Sequence, residues 1–221
     1  LDKHRANFDQ THRFISNFIY ELPFGTGRRW LSGLGGGLIP LRKVVEGWQI
    51  GAIIARQTGG PVSIYSNRTT VNNYNAGLNP AQLTGATFEQ IRDAMGVYKT
   101  ATGVFFINPS LLNITTSPTT GKLTGATLKD GLLGPPAPGS FGNMPRNNIT
   151  GPPFTMFDFS IIKRTYYTER RSVELKVNFL NAFNHANFVF GSAVFDDANF
   201  ARISGQRGNP RIITFILTVN F

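Results

Sequence analysis

The stretch that decides the fold is seven residues in which apolar and polar side chains alternate without a break, Val173-Glu174-Leu175-Lys176-Val177-Asn178-Phe179. Because successive side chains of a β-strand point to opposite faces, this pattern predicts a strand with one apolar and one polar face. The three polar side chains require water along most of one face. The opposite face requires an apolar environment.

Four further segments alternate in the same way: residues 13–22, 48–57, 157–161 and 213–221. Strands of soluble proteins are typically about 5–6 residues long, whereas about 9–11 tilted residues cross a bilayer. Aromatic side chains at the strand ends resemble the girdle of a membrane barrel. The sequence therefore predicts an all-β fold of long antiparallel meander strands from an outer-membrane-type barrel, incomplete in this chain. Aromatics in a soluble β core remain an alternative.

The connections between these segments are unequal, which is typical of an outer-membrane barrel. Residues 23–46 and 164–172 form shorter, charged connections, whereas residues 59–153 and 185–210 form long ones. We expect residues 59–153 to be one very long loop insertion of the extracellular type. Within it, Thr87 precedes Glu89 and Gln90, which predicts a short capped helix over 87–95.

The chain is strongly basic, with 22 Lys and Arg against 12 Asp and Glu. Eight cations and two acids cluster around two connections: Arg28, Arg29, Arg42, Lys43, Glu46, Lys163, Arg164, Glu169, Arg170 and Arg171. Basic turns suit a surface beside anionic headgroups, although simple solvation of the turns explains them equally well. There is no recognition-helix pattern and no basic stripe interleaved with stacking aromatics, so no nucleic acid partner is expected.

The residues that enzymes and metal sites require are missing or badly spaced. The chain has no Cys, which rules out a thiolate site, and its three His residues do not have metal-ligand spacing. No apolar run reaches the length of about 18 residues that a transmembrane helix needs. We predict no catalytic, metal or cofactor-binding residues, and no enzyme activity.

Several motifs resemble the late barrel of TonB-dependent outer-membrane receptors, in particular the Oar-like subgroup that carries an N-terminal carboxypeptidase-regulatory-like domain. The motifs are Tyr20-Glu21-Leu22-Pro23-Phe24-Gly25 with Gly47-Trp48-Gln49, residues 137–147 (APGSFGNMPRN) with Gly151-Pro152 and Phe157-Asp158-Phe159-Ser160, residues 179–188 (FLNAFNHANF), and Gly208-Asn209-Pro210-Arg211. Residues 66–134 have no counterpart in this resemblance.

The resemblance implies a barrel of about 22 strands with an N-terminal plug, driven by the TonB complex. It further implies that this chain is a C-terminal piece whose partners are the rest of the barrel and the plug, outer-membrane lipid or lipopolysaccharide, and TonB through the absent N-terminal part. The terminal Phe221 resembles the signal that the barrel-assembly machinery reads. Localisation in a bacterial outer membrane follows.

Three functions are compatible with these features. In the first, the chain is part of a receptor for uptake of a large nutrient, and its polar faces line the lumen through Asp158, Ser160, Glu174, Lys176, Asn178, Thr214, Thr218 and Asn220. In the second, a released fragment self-associates through its unpaired sheet edges into an extracellular filament or oligomer. The third is a soluble carbohydrate-binding β-sandwich.

Overall fold

The computed structural model describes residues 3–33, 39–71 and 79–221, and of residues 39 and 40 the backbone alone. The fold is all-β. The strands are β1 (Arg13–Glu21), β2 (Trp48–Gln57), β3 (Pro61–Val62), β4 (Gln82–Leu83), β5 (Met95–Lys99), β6 (Val104–Ile107), β7 (Leu112–Thr116), β8 (Leu123–Leu128), β9 (Leu133–Gly134), β10 (Ile149–Thr150), β11 (Phe154–Tyr166), β12 (Ser172–Leu180), β13 (Asn187–Phe188), β14 (Arg202–Ile203), β15 (Gln206–Arg207) and β16 (Ile212–Asn220). The helices are α1 (Ile39–Val45) and α2 (Phe88–Asp93), with a 3-10 turn at Pro109–Leu111.

The chain divides into two compact units. The sheet unit comprises Phe14–Arg56, Thr155–Ala186 and Gly208–Phe221, and the core unit comprises Leu1–Arg13, Gln57–Phe154 and Asn187–Arg207. Each unit is therefore assembled from three separate stretches of chain.

The sheet unit is built on one sheet with the strand order β1-β2-β11-β12-β16. The prediction of five long alternating strands is confirmed, and β11 is much longer than its five predicted residues. The extension moves Lys163 and Arg164 out of the predicted turn and into β11. In the described part of the chain, β1 and β16 are the outer strands and the sheet does not close into a barrel.

The register of β11, β12 and β16 decides which side chains are neighbours. Lys176 of β12 lies opposite Ile162 on one side and Ile216 on the other. Alternation then places Val173, Leu175, Val177 and Phe179 on the other face, together with Ile213, Phe215, Leu217 and Val219 of β16. This apolar face is exposed: Phe215 is 71% and Leu217 is 66% accessible.

The core unit holds every described apolar side chain that is fully buried. Phe105 and Phe200 are completely inaccessible and pack in one cluster with Ile64, Ile107 and Ile149. Because no such cluster exists in the described part of the sheet unit, its sheet lacks the packed inner face on which a β-sandwich depends.

The long connection over residues 59–153 contains much more structure than the sequence predicts. It pairs β3 with β10, β4 with β9, β5 with β6 and β7 with β8, and β6 also pairs with β14 from a later part of the chain. The predicted capped helix is confirmed as α2, with Thr87 and Gln90 forming a reciprocal capping box. The extracellular location of this connection stays a prediction.

Among the described residues, no helix has the length and apolar character needed to cross a membrane.

Candidate functional site

The polar face of the sheet brings together most of the residues predicted to face a lumen. Ser160, Asn178 and Thr214 occupy one cross-strand row, and Arg164, Glu174 and Thr218 occupy a second row nearer the end of the sheet. Between the two rows, the neighbours of Lys176 are isoleucines. The face is therefore polar in bands and not along its whole length.

A shallow groove of about 620 Å³ runs along this face. Polar side chains from three strands, β1, β11 and β12, line it: Asn17, Asp158, Ser160, Lys176 and Asn178. Gly51 of β2 lies directly against Ser160, and a Cβ atom at this position would overlap the Ser160 hydroxyl. The glycine therefore leaves the space that the groove and the serine share.

Three of the predicted lumen residues already have partners. Glu174 accepts a hydrogen bond from Arg164 Nε at 2.7 Å, Asp158 Oδ1 accepts one from the backbone N–H of Asn181 at 2.9 Å, and Asn220 Nδ2 donates to the Ser172 hydroxyl at 3.2 Å. Their first roles are therefore structural.

The motif at Asn181 shows how the local sequence produces that turn. Asn181 has a positive φ of 47°, which asparagine tolerates better than most residues. Its side chain donates to the carbonyl groups of His185 and Asn209, at 3.1 and 3.0 Å. Asp158 therefore helps to fix the point at which β12 ends and the chain turns, a role that strand alternation could not reveal.

Lys176 and Asn178 are better candidates for contact with a solute. Both line the groove, and no described residue forms an ion pair with Lys176. Ser160 and Thr214 flank Asn178 on the neighbouring strands. This arrangement offers one cation, one amide and two hydroxyl groups on a single strip.

Lys163 is a residue whose role the sequence analysis missed. It lies on the apolar face of β11, opposite Leu175, and its Nζ donates to the backbone carbonyl groups of Lys43, at 2.6 Å, and Glu46. Trp48 Nε1 donates to the carbonyl of Val44 at 2.8 Å. Both side chains therefore satisfy carbonyl groups at the C-terminal end of α1.

Glu46 stabilises the connection that carries α1. Its carboxylate accepts a hydrogen bond from the backbone N–H of Thr26 at 2.7 Å and lies 3.7 Å from Arg42 Nε. The hydrogen bond from Thr26, with a smaller contribution from the charge of Arg42, lowers the pKa of Glu46 below its ordinary value.

The strand ends carry the aromatic side chains that the sequence predicts, and all but one of them are exposed. Phe14, Tyr20, Tyr166 and Tyr167 are each more than half exposed and Phe221 is 97% exposed, whereas Trp48 is partly buried. Their location in a membrane interface stays a prediction, as does the role of Phe221 as an assembly signal.

In the ranges that the structure describes, no group of three or more His, Asp or Glu side chains could hold a metal ion.

The sequence comparisons bear on the same stretch of chain. A family model described as "Outer membrane beta barrel domain" matches residues 1–214. No match was found among curated proteins or among solved structures.

Proposed function

The chain belongs to the outer membrane β-barrel domain family, and from this premise we propose that it forms part of the wall of a TonB-dependent receptor that takes up a large nutrient. Its five long strands supply a segment of the barrel. The polar face is turned to the lumen and the apolar face to lipid.

The observation that carries the proposal is the polar row Ser160–Asn178–Thr214, backed by apolar side chains on the other face of the same strands. A sheet in a soluble protein would have its apolar face covered by other elements, whereas Phe215 and Leu217 on the apolar face of this sheet are exposed. Lipid is the environment that makes this exposure favourable, because each apolar Å² removed from water contributes roughly 25 cal/mol.

Within this proposal, Lys176 and Asn178 contact the solute or the plug during passage. Glu174 and Arg164 form a fixed ion pair on the same wall, so they shape the lumen more than they bind. The finer assignment to TonB-dependent, Oar-like receptors is supported by the motifs in residues 137–147 and 179–188.

The orientation of the faces can be tested by single-cysteine labelling of the intact natural protein in whole cells. The present chain has no cysteine of its own, so each new thiol is unique within it. Lys176→Cys and Leu175→Cys form a matched pair, because the two residues are adjacent in β12 and lie on opposite faces.

We expect a charged maleimide to label Lys176→Cys and to leave Leu175→Cys unlabelled. A lipid-bound nitroxide should quench a fluorophore at position 175 and not one at position 176. The reverse pattern, or equal labelling of both positions, would refute the proposed barrel orientation.

Uptake is tested separately by measuring which large solutes cells remove from the medium. A strain that lacks this gene and a strain that lacks TonB should fail to remove the same compound. If the compound is still taken up without TonB, the energy-coupled part of the proposal is wrong even when the labelling result holds.

The self-assembly alternative makes a different prediction about the native material. The outer strands β1 and β16 offer edges that could pair with other copies of the chain. Mass spectrometry of the native protein distinguishes the two, since assembly requires a discrete 24.3 kDa species and transport requires a larger receptor.

A further inference from the structure

One end of the sheet carries an excess of cations. At this basic end, defined by the connections 22–47 and 167–171, the charged residues are Arg28, Arg29, Arg42, Lys43, Glu46, Glu169, Arg170 and Arg171. Two of the arginines form ion pairs with acidic residues of the same chain. Arg28 Nη2 lies 3.0 Å from Glu21 Oε2, and Arg42 Nε lies 3.7 Å from Glu46 Oε2. The remaining charges are four cations and Glu169, so this end is positive overall.

Apolar and aromatic side chains lie beside these cations. Helix α1 exposes Leu41 and Val44, which are 47% and 62% accessible. Lys43 Nζ lies 4.8 Å from the centre of the Tyr167 ring, and Arg29 Cζ lies 5.7 Å from that of Trp30. Cations next to half-exposed rings are typical of the boundary between lipid headgroups and acyl chains.

The surface is held in a fixed arrangement. Lys163 and Trp48 bind the carbonyl groups at the end of α1, as described above, and both belong to the apolar face of the sheet. Helix α1 therefore lies where the apolar face ends. The ring of Trp30 also packs against Phe24, with 5.6 Å between their centres. The exposed cations consequently surround the margin of the surface that faces lipid.

We propose that this basic end binds the phosphodiester headgroups of anionic phospholipids in the leaflet that meets it. The positive charge of the basic end is complementary to the negative charge of the phosphates, and each cation close to an anionic membrane surface strengthens binding by about fivefold. Leu41, Val44 and Trp30 reach the upper acyl chains while the cations contact the phosphates. The inference requires the membrane location that the family gives and is independent of nutrient uptake.

The test measures lipid retained by the intact natural protein. The protein is purified in a neutral detergent, mixed with equimolar phosphatidylglycerol and phosphatidylcholine, and examined by native mass spectrometry. The test variant is Arg29→Gln/Arg170→Gln/Arg171→Gln, which removes three exposed cations from the basic end.

A matched control removes the same charge from the core unit, at Arg68→Gln/Lys122→Gln/Lys129→Gln, where all three side chains are exposed as well. A second variant, Arg29→Lys/Arg170→Lys/Arg171→Lys, keeps the charge at the basic end. Heat-modifiable migration in detergent gels shows which variants are folded, and the charge-conserving variant remains informative if the glutamine variant does not fold.

We expect the wild type, the core-unit control and the lysine variant to retain phosphatidylglycerol in preference to phosphatidylcholine. The glutamine variant should lose that preference by at least about tenfold. Equal retention of the two lipids by the wild type overturns the proposal, and so does an equal loss in the core-unit control. Displacement by millimolar inorganic phosphate would mark a free-phosphate site, and stronger retention of lipopolysaccharide would mark a different lipid; either result overturns the assignment to phospholipid.

Discussion

Replacing Asn147 with alanine should loosen the core unit and release the N-terminal segment. Asn147 is buried, and its Oδ1 accepts a hydrogen bond from the Ser63 hydroxyl at 2.9 Å. Its Nδ2 donates to the carbonyl of Arg5 and to Asn7 Oδ1, both at 2.7 Å. One side chain therefore joins three parts of the core unit that are far apart in sequence.

The magnitude follows from these contacts. Three hydrogen bonds at about 0.5–1.5 kcal/mol each give roughly 3 kcal/mol. Asn147 also has a φ of 56°, where alanine is less favourable than asparagine by about 1 kcal/mol. Asn147→Ala should therefore cost about 4 kcal/mol, and Asn147→Gly, which relieves the backbone conformation, about 1 kcal/mol less.

Hydrogen exchange followed by mass spectrometry measures this loss locally. Peptides that cover residues 3–12 and 61–66 should exchange at least about 100-fold faster in Asn147→Ala than in the wild type. Asn148→Ala is the control, because its side chain is exposed and its removal should change stability by less than about 0.5 kcal/mol. Equal exchange in the two variants would refute the role assigned to Asn147.

Three further predictions concern the sheet unit. Gly47 has a φ of 76°, and a Cβ atom added at this position would overlap the carbonyl oxygen of Arg164, so Gly47→Ala should destabilise the protein by about 3 kcal/mol. Gly27 has a φ of 71° but lies in open space, so Gly27→Ala should cost about 1 kcal/mol. Equal decreases in melting temperature for the two variants would contradict the close approach at Gly47. Because the pKa of Glu46 is lowered in the folded state, its contribution to stability is complete above the unfolded value near 4.5 and is lost as the pH falls through the folded value. The decrease in melting temperature between pH 7 and acid should therefore be smaller in Glu46→Gln than in the wild type. An equal decrease in the two proteins would argue against this role of Glu46. Phe221→Ala should reduce the heat-modifiable folded band from outer membranes while Phe221→Tyr preserves it, and a normal amount of folded alanine variant would exclude the assembly signal.

The long strands were predictable because the sequence of each one alternates apolar and polar residues over many positions. In β12, alternation over residues 173–179 is complete, and the structure extends the strand by one residue at each end. Alternation also predicts that Ser160, Asn178 and Thr214 share one face, and the register places them in one row. It could not show that Asp158 and Glu174 are already engaged, because their partners Asn181 and Arg164 depend on strand pairing and turn geometry.

The core unit was not predictable by the same means. Many of its strands are two residues long, which is too short for any period to be visible. Its pairings join distant parts of the chain, as in Val62 with Ile149 and Arg202 with Phe105. A strand such as Val104–Ile107 is apolar throughout, so its sequence does not distinguish a strand from part of a buried helix.

The interleaving of the two units has a kinetic consequence. The core unit needs Phe200 and Ile203, which follow β11 and β12 in the chain, so its cluster cannot be completed until those strands have been synthesised. Pairings between residues so distant in sequence slow folding, because the entropy cost of closing the loop precedes the stabilising contacts that the closed loop allows. Such a polypeptide remains open to proteases and chaperones until residues 187–207 are present, and chains truncated before residue 187 should stay digestible.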